Sequence, residues 1–386
     1  MEIIGIICEY NPLHLGHARQ LTRLRQENPD RGLVCLMSGN YVQRGRPALF
    51  DKAIRARAAL AAGADLVLEL PITDVLRSAE GFADGGVRIL SGFCNGLSFG
   101  AENADREALC ALAGTLLSPD FPPRLREALA RGISFPAARQ QALEAMGADA
   151  RLLQTPNNIL AVEYCKAVLR RGSAMALLPM ARGGDYHAAE ADPENPSATA
   201  VRRLIRAGGD WRPCVPPAAV PLYAGAPLHT MEAGERAVLA LVRTLPEEAF
   251  EALPDGSEGL WRKLMAACRR EAGVEAIAAS VKSKRYTRTR LDRMLLCAVL
   301  GISRDTLAAP APYTRVLAMN DRGREILKKA RTGGAFPHTG DRTEGAHAAL
   351  ERRCDDLYGL FAAAEPEPTG QSRKRRLYYA PGDAHL

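Results

Sequence analysis

Ile3-Ile4-Gly5-Ile6-Ile7-Cys8-Glu9-Tyr10-Asn11-Pro12-Leu13-His14-Leu15-Gly16-His17 is the stretch on which the fold turns. Ile3 to Cys8 is a short apolar, β-branched run, the pattern of a strand buried on both faces. Asn11-Pro12 breaks the strand and turns the chain. From Ala18 the spacing becomes helical, with Leu21 and Leu24 on one inward face. Two imidazoles, His14 and His17, therefore stand where a strand hands over to a helix. Free N–H groups and the helix dipole favour an anion such as phosphate at that point, and Gly16 allows close approach to the backbone. The plainer reading is two surface histidines on a strand-to-helix loop. Their place directly behind a buried strand favours the anion site.

The same alternation continues outward from this stretch. Gly32 to Met37, Ala64 to Leu70 and Gly96 to Gly100 repeat the buried-strand pattern, while Asp51 to Ala62 and Ser78 to Leu90 read as helices. Strands alternating with helices across short loops predict an α/β fold with a parallel sheet. Ligands of such sheets bind beyond the carboxyl ends of the strands. Those ends are Glu9 to His17, Ser38 to Asn40, Glu69-Leu70-Pro71 and Gly100 to Asn103. Residues 105–170 read as mostly helical, with Thr155-Pro156-Asn157-Asn158 opening one helix, and Ala174 to Leu178 as a fifth strand. Pro213, Pro216, Pro217, Pro221 and Pro227 crowd one stretch and predict a linker at 211–228. It would separate a domain at 1–210 from a mainly α-helical domain at 229–386.

Composition narrows the class. Of the 386 residues 47% are hydrophobic and 25% charged, as in an ordinary globular protein. No apolar run is long enough to span a bilayer, and the first residues lack the pattern of a signal peptide. Nine cysteines are scattered singly with no C-x-x-C pair, which speaks against a structural zinc and a disulfide framework and for a reduced, cytoplasmic enzyme. The formal charge is +7, and Arg262 to Arg293 alone holds ten Lys/Arg against three Asp/Glu. One concentrated basic face points to a polyanion partner.

Ser197-x-Thr199-x-x-Arg202 is the second motif of interest. Serine at a helix start is commonly a cap. The pattern also offers two hydroxyls, free N–H groups and a guanidinium to a single anion. Paired with His14-x-Gly16-His17 on a parallel sheet, it resembles the second motif of the HxGH nucleotidylyltransferases, which cleave ATP between its α- and β-phosphates. The resemblance sharpens over the ordered blocks Glu9 to His17, Met37-Ser38-Gly39-Asn40-Tyr41-Val42-Gln43-Arg44-Gly45, Glu69-Leu70-Pro71, Pro156-Asn157-Asn158-Ile159-Leu160 and Ser283-Lys284-Arg285-Tyr286-Thr287-Arg288-Thr289-Arg290. Together they resemble the bacterial tRNA(Met) cytidine acetate ligase family over nearly the whole chain. Leu13 departs from the phenylalanine expected there, and Thr332 to Glu344 matches none of the family's blocks.

That resemblance implies a Rossmann-like sheet, ATP as co-substrate with Mg²⁺ accompanying it rather than held at a protein site, acetate as the acid, and elongator tRNA(Met) as acceptor. Neither a membrane nor DNA is an expected partner. It places the nucleotide on Ile7-Cys8-Glu9-Tyr10-Asn11-Pro12-Leu13-His14-Leu15-Gly16-His17-Ala18-Arg19-Gln20, with Gly100, Asn157 or Asn158, and Arg182-Gly183. His14, His17 and Arg202 are assigned to the charge that develops on the phosphates, and Ser197 and Thr199 to orienting them. Lys52 offers an extra phosphate contact but reads first as an ordinary surface lysine. Glu9 and Asp185 are the nearest candidates by motif for the base of the second, acetyl-transfer step, with a structural role the plainer reading of each. Lys282, Lys284, Arg285, Tyr286, Arg288, Arg290 and Arg293 suit RNA phosphates and an exposed base. Arg373 to Arg376 with Tyr378 and Tyr379 form a second such patch. Two other readings stay open: a small-molecule adenylyltransferase whose product keeps AMP, and a non-catalytic RNA-binding protein.

Overall fold

Every residue of the strand Ile3–Cys8 is buried. In the structure, a computed structural model describing residues 1–182, 192–283, 285–333, 335–339, 344–371 and 377–382, this strand lies inside the sheet. Gly32–Ser38 and Gly96–Ala101 flank it, both parallel. Leu66–Leu70 and Ala176–Ala181 extend the parallel sheet on either side. Chain order therefore reverses at the first strand, which opens a crevice at the carboxyl ends of the first and fourth strands. Alternate side chains of the first strand serve opposite faces. Ile4 and Ile6 pack with Leu21, Leu24 and Ala59 on one side, while Ile3 and Ile7 pack with Phe82, Val87 and Tyr164 on the other. The helices Leu15–Glu27 and Lys52–Ala61 thus cover one face, and Ala79–Leu90 and Pro156–Arg171 the other. A fully buried leucine such as Leu21 stabilises this packing by about 1.5–3 kcal/mol.

The fifth strand spans Ala176–Ala181 rather than Ala174 to Leu178. Pro179 reads as a strand breaker in sequence, yet this strand pairs on one side only, where a missing N–H on the open side costs nothing.

Beyond residue 211 the chain is mainly helical, with two departures from expectation. Thr314–Met319 returns to the sheet, antiparallel to Leu66–Leu70, and carries Tyr378–Tyr379 and His338–Thr339 beside it. This strand has a weak signature because only alternate residues are buried and few are β-branched. The proline-rich stretch is also no free spacer. Cys214, Val215, Ala219 and Tyr223 are buried and pack on Leu49, Phe50 and Val201. Tyr223 stacks on Phe50 with centroids 4.6 Å apart, and its hydroxyl accepts the Leu13 N–H at 3.2 Å. The prolines shape the short turns Arg212–Cys214 and Pro217–Ala219 of a packed strap. Residues 1–210 and 229–386 accordingly share one sheet.

Candidate active site

A cleft of about 490 Å³ opens at the carboxyl ends of the central strands, and His14, His17, Gly100, Asn157, Arg182, Ser197, Thr199 and Arg202 all line it. His14 caps the helix Leu15–Glu27: its Nδ1 accepts the Gly16 N–H at 3.1 Å, and its own N–H donates to His17 Nδ1 at 3.4 Å. With both Nδ1 atoms accepting, each neutral ring carries its proton on Nε2. The two rings stack with centroids 3.8 Å apart. Among the described residues His14 Nε2 is buried without a hydrogen-bond partner. A Cβ at residue 16 would stand 3.0 Å from the His14 ring, so any larger residue would press on the capping histidine.

Burial, and then Arg182, Arg202 and Arg19, push the His14 imidazole down to about 3. Burial, His14 and Arg182 depress His17 well below the usual histidine range. Both rings are therefore neutral at pH 7 in the free protein. They present N–H donors, and the positive charge comes from the arginines.

Ser197 caps the helix Ala198–Arg206 through its Oγ, which accepts the Ala200 N–H at 3.1 Å. Cap and cleft wall are thus the same residue. Arg202 donates to the Asn11 carbonyl at 2.6 Å and to Thr199 Oγ1 at 3.1 Å, tying the loop after the first strand to a helix that begins far along the chain. Arg182 donates to Asn157 Oδ1 at 3.0 Å. A Cβ at residue 100 would meet the Arg182 side chain at 2.7 Å, so Gly100 seats this arginine. Glu102 collects the Thr155 hydroxyl and the Asn157 and Asn158 N–H groups at the start of Pro156–Arg171, a carboxylate where the helix dipole favours one.

Not every expected residue reaches the cleft. Asn158 is buried and holds the Asn103 N–H at 3.0 Å, so Asn157 is the one that lines the cleft. Pro12, Leu13, Leu15 and Ala18 do not line it, and Leu13 fills the core. Gly183, Lys284, Asp185 and Arg373 to Arg376 lie outside the described residues. Phe82, Phe99 and Tyr164, which the sequence did not single out, line the cleft together with Leu160. Phe99 sits at a strand's carboxyl end, and Leu160 and Tyr164 follow Asn157 at helical spacing; those signals were available. Glu9 faces the cleft as well. Its Oε1 accepts the Gln43 N–H at 2.6 Å, and burial raises its carboxyl.

Burial overturns one sequence reading and narrows another. Lys52 is no surface lysine: its Nζ lies 2.7 Å from Glu69 and 2.7 Å from Asp355, with side-chain exposure of 4%. Arg315 joins the same carboxylates, binding the sheet to the helix Ala346–Tyr358. Burial opposes the charge, but Arg315 and Lys52 hold the Glu69 carboxyl down at about 2. The basic segment is likewise drawn inward. Tyr286 is 5% and Arg293 8% exposed, and Arg293 pairs with Asp255 at 3.2 Å. Arg288 is held by Glu275 and by Asp292. Gly45, at φ +74°, lies so close to the backbone of Asp292 and Arg293 that a Cβ would overlap it. Arg46 reaches Asp292 at 3.3 Å. Much of this segment is a joint with the loop after the second strand. Lys282 and Arg285 remain exposed, Arg285 beside Glu258 at 2.6 Å, and Arg290 donates to the Asp255 carbonyl.

The HIGH Nucleotidyl Transferase family model matches residues 1–373. The tRNA(Met) cytidine acetate ligase of Syntrophomonas wolfei is 33% identical over 94% of this chain and 95% of that protein. The ligases of Alkaliphilus metalliredigens and Clostridium novyi are 35% and 33% identical, each over 87% of this chain and over 87% and 89% of theirs. Among solved structures, Thermotoga maritima TmcAL in its apo form superposes with a TM-score of 0.91 at 28% identity, covering 99% of this chain and 100% of that one. The same protein bound with alpha-thio ATP gives 0.88 at the same identity and coverage. A sheet that reverses at its first strand, a histidine-capped helix and an arginine-closed cleft thus stand in a chain matched nearly end to end by these proteins, and the chain belongs to the tRNA(Met) cytidine acetate ligase family of HIGH nucleotidyl transferases.

Proposed function

We propose that this protein activates acetate with ATP as acetyl-adenylate and transfers the acetyl group to N4 of the wobble cytidine of elongator tRNA(Met). The observation that carries the reading is the clamp itself: His14, whose buried Nε2 has no partner among the described residues, lines one cleft with Arg182, Arg202, Ser197 and Thr199. In the first step the acetate carboxylate attacks the α-phosphorus and pyrophosphate leaves with the bonding pair. Charge grows on the phosphoryl oxygens, and fixed donors in a water-poor cleft stabilise it at little reorganisation cost. Neutral His14 and His17 supply N–H donors there, and Arg182 and Arg202 supply charge. Mg²⁺ arrives with the triphosphate. In the second step the cytidine amine attacks the acetyl carbon and AMP departs. The helical portion at 229–386 carries the tRNA, with Lys282, Lys284, Arg285 and Arg290 as its contacts in the basic segment. The protein works in the cytoplasm, where that tRNA is found.

Names shared by relatives matched over nearly their whole length support this over a small-molecule adenylyltransferase, and the intact phosphate clamp supports it over a non-catalytic RNA-binding protein. ATP–pyrophosphate exchange separates the three. Exchange that requires acetate but no tRNA, followed by acetyl transfer on adding tRNA, is the expected result. Exchange indifferent to acetate would favour the adenylyltransferase, and absence of exchange the non-catalytic protein.

A further inference from the structure

Tyr378 and Tyr379 are 38% and 39% exposed, adjacent, and placed on a two-residue strand at the edge of the sheet. Successive strand residues point to opposite faces. Accordingly Tyr378 lies under the Arg57 guanidinium at 4.9 Å, and Tyr379 near that of Arg324 at 5.9 Å. The Tyr379 hydroxyl donates to Asp321, which also pairs with Arg324 at 3.4 Å. The adjoining helix Asp321–Thr332 sets Arg324, Lys328 and Arg331 on one exposed stripe at i, i+4 and i+7. Cations alone would be explained as protection of a sheet edge. Exposed aromatic rings do the opposite of protecting an edge, and the Asp321 contact engages the Tyr379 hydroxyl rather than its ring. By contrast, the one tyrosine of the basic segment, Tyr286, is buried, and Arg288 and Arg293 are taken up by carboxylates.

We propose that this edge, Tyr378 and Tyr379 with Arg57, Arg324, Lys328 and Arg331, is an RNA-binding surface that stacks bases and tracks phosphates of the tRNA while the target cytidine occupies the cleft. Sequence-tolerant RNA binding needs this combination of rings and cations. The edge pairs with Met319, which pairs in turn with Leu66 at the amino end of its strand, so it lies at the end of the sheet away from the cleft. Four strand spacings across and one strand length down put it roughly 25 Å from the cleft, a distance a folded tRNA spans. The proposal rests on the tRNA reading above.

The test uses the full chain and elongator tRNA(Met) transcript, reading affinity by fluorescence anisotropy and acetyl transfer by its KM and kcat. Tyr378→Ala/Tyr379→Ala should weaken tRNA binding about tenfold or more, appearing in KM for tRNA rather than in kcat. Tyr378→Phe/Tyr379→Phe, which keeps the rings, should bind like the parent. Arg57→Gln/Lys328→Gln alters two exposed side chains and keeps the test valid if the alanine pair misfolds. It should weaken binding and lower the salt slope by roughly 0.7–0.9 for each phosphate that the protein no longer neutralises. Parent-like affinity in both the tyrosine and the charge variants overturns the proposal. So does a self-association of the parent that the tyrosine variant abolishes without change in tRNA affinity, which would assign the edge to a second copy. A parent that shows no acetate-dependent exchange fails the catalytic reading instead, a separate result.

Discussion

Replacing His14 by asparagine separates the two duties of this residue. As a cap, His14 uses Nδ1 to accept the Gly16 N–H at 3.1 Å, and asparagine is among the best residues for that role. As a ligand group it offers Nε2–H, which asparagine lacks. Removing one preorganised donor to transition-state charge costs about 2.7–4 kcal/mol, or roughly 10²–10³ in rate. The free protein should scarcely notice. Losing the stack on His17, at 3.8 Å, forfeits about 0.5–1.5 kcal/mol. Relieving the unpartnered buried Nε2 returns about 1–3 kcal/mol. The two nearly cancel, with the balance towards a more stable empty protein. His14→Asn should therefore lose ATP–pyrophosphate exchange by two to three orders of magnitude on this reasoning, with an unchanged or slightly raised denaturant midpoint. The rise in melting temperature on adding ATP should also shrink. Exchange within fivefold of the parent, or a fall in stability that accounts for the lost rate, would refute it.

The acid limb of stability should report the same histidines. Both have folded-state values below the ordinary one, His14 at about 3, so between there and about 6.5 the unfolded chain binds more protons. Stability is fully present above that window and falls as pH drops, by up to about 1.4 kcal/mol per pH unit for each ring; urea midpoints across it should show a shallower slope in His14→Asn. Lys52→Met leaves Glu69 and Asp355 with Arg315 as the cation that still pairs with both, and should cost about 3–5 kcal/mol in equilibrium unfolding, whereas a surface lysine would cost almost nothing. Arg293→Ala should lower stability by removing the pair with Asp255, measured by thermal melting, without a selective loss of tRNA affinity. Lys282→Gln, at an exposed position, should do the reverse in the same two assays.

The local pattern of the chain determined a good deal. A β-branched run, a proline turn and a histidine-glycine-histidine sequence specify a buried strand, a break and an anion-ready helix start, because each depends on residues close in sequence. Ser197, Thr199 and Arg202 were legible for the same reason. Only the tertiary structure decided what depends on distant neighbours. It paired Lys52 with Asp355, buried Tyr286 against helices, and seated Arg182 over Gly100. It also made Thr314–Met319 a strand by giving it Leu66–Leu70 to pair with. Charge shows in a sequence, but whether a cation meets water, RNA or a buried carboxylate is set by what packs around it. Arg288 and Arg293 of the basic segment meet carboxylates for that reason, while Lys282 beside them stays exposed.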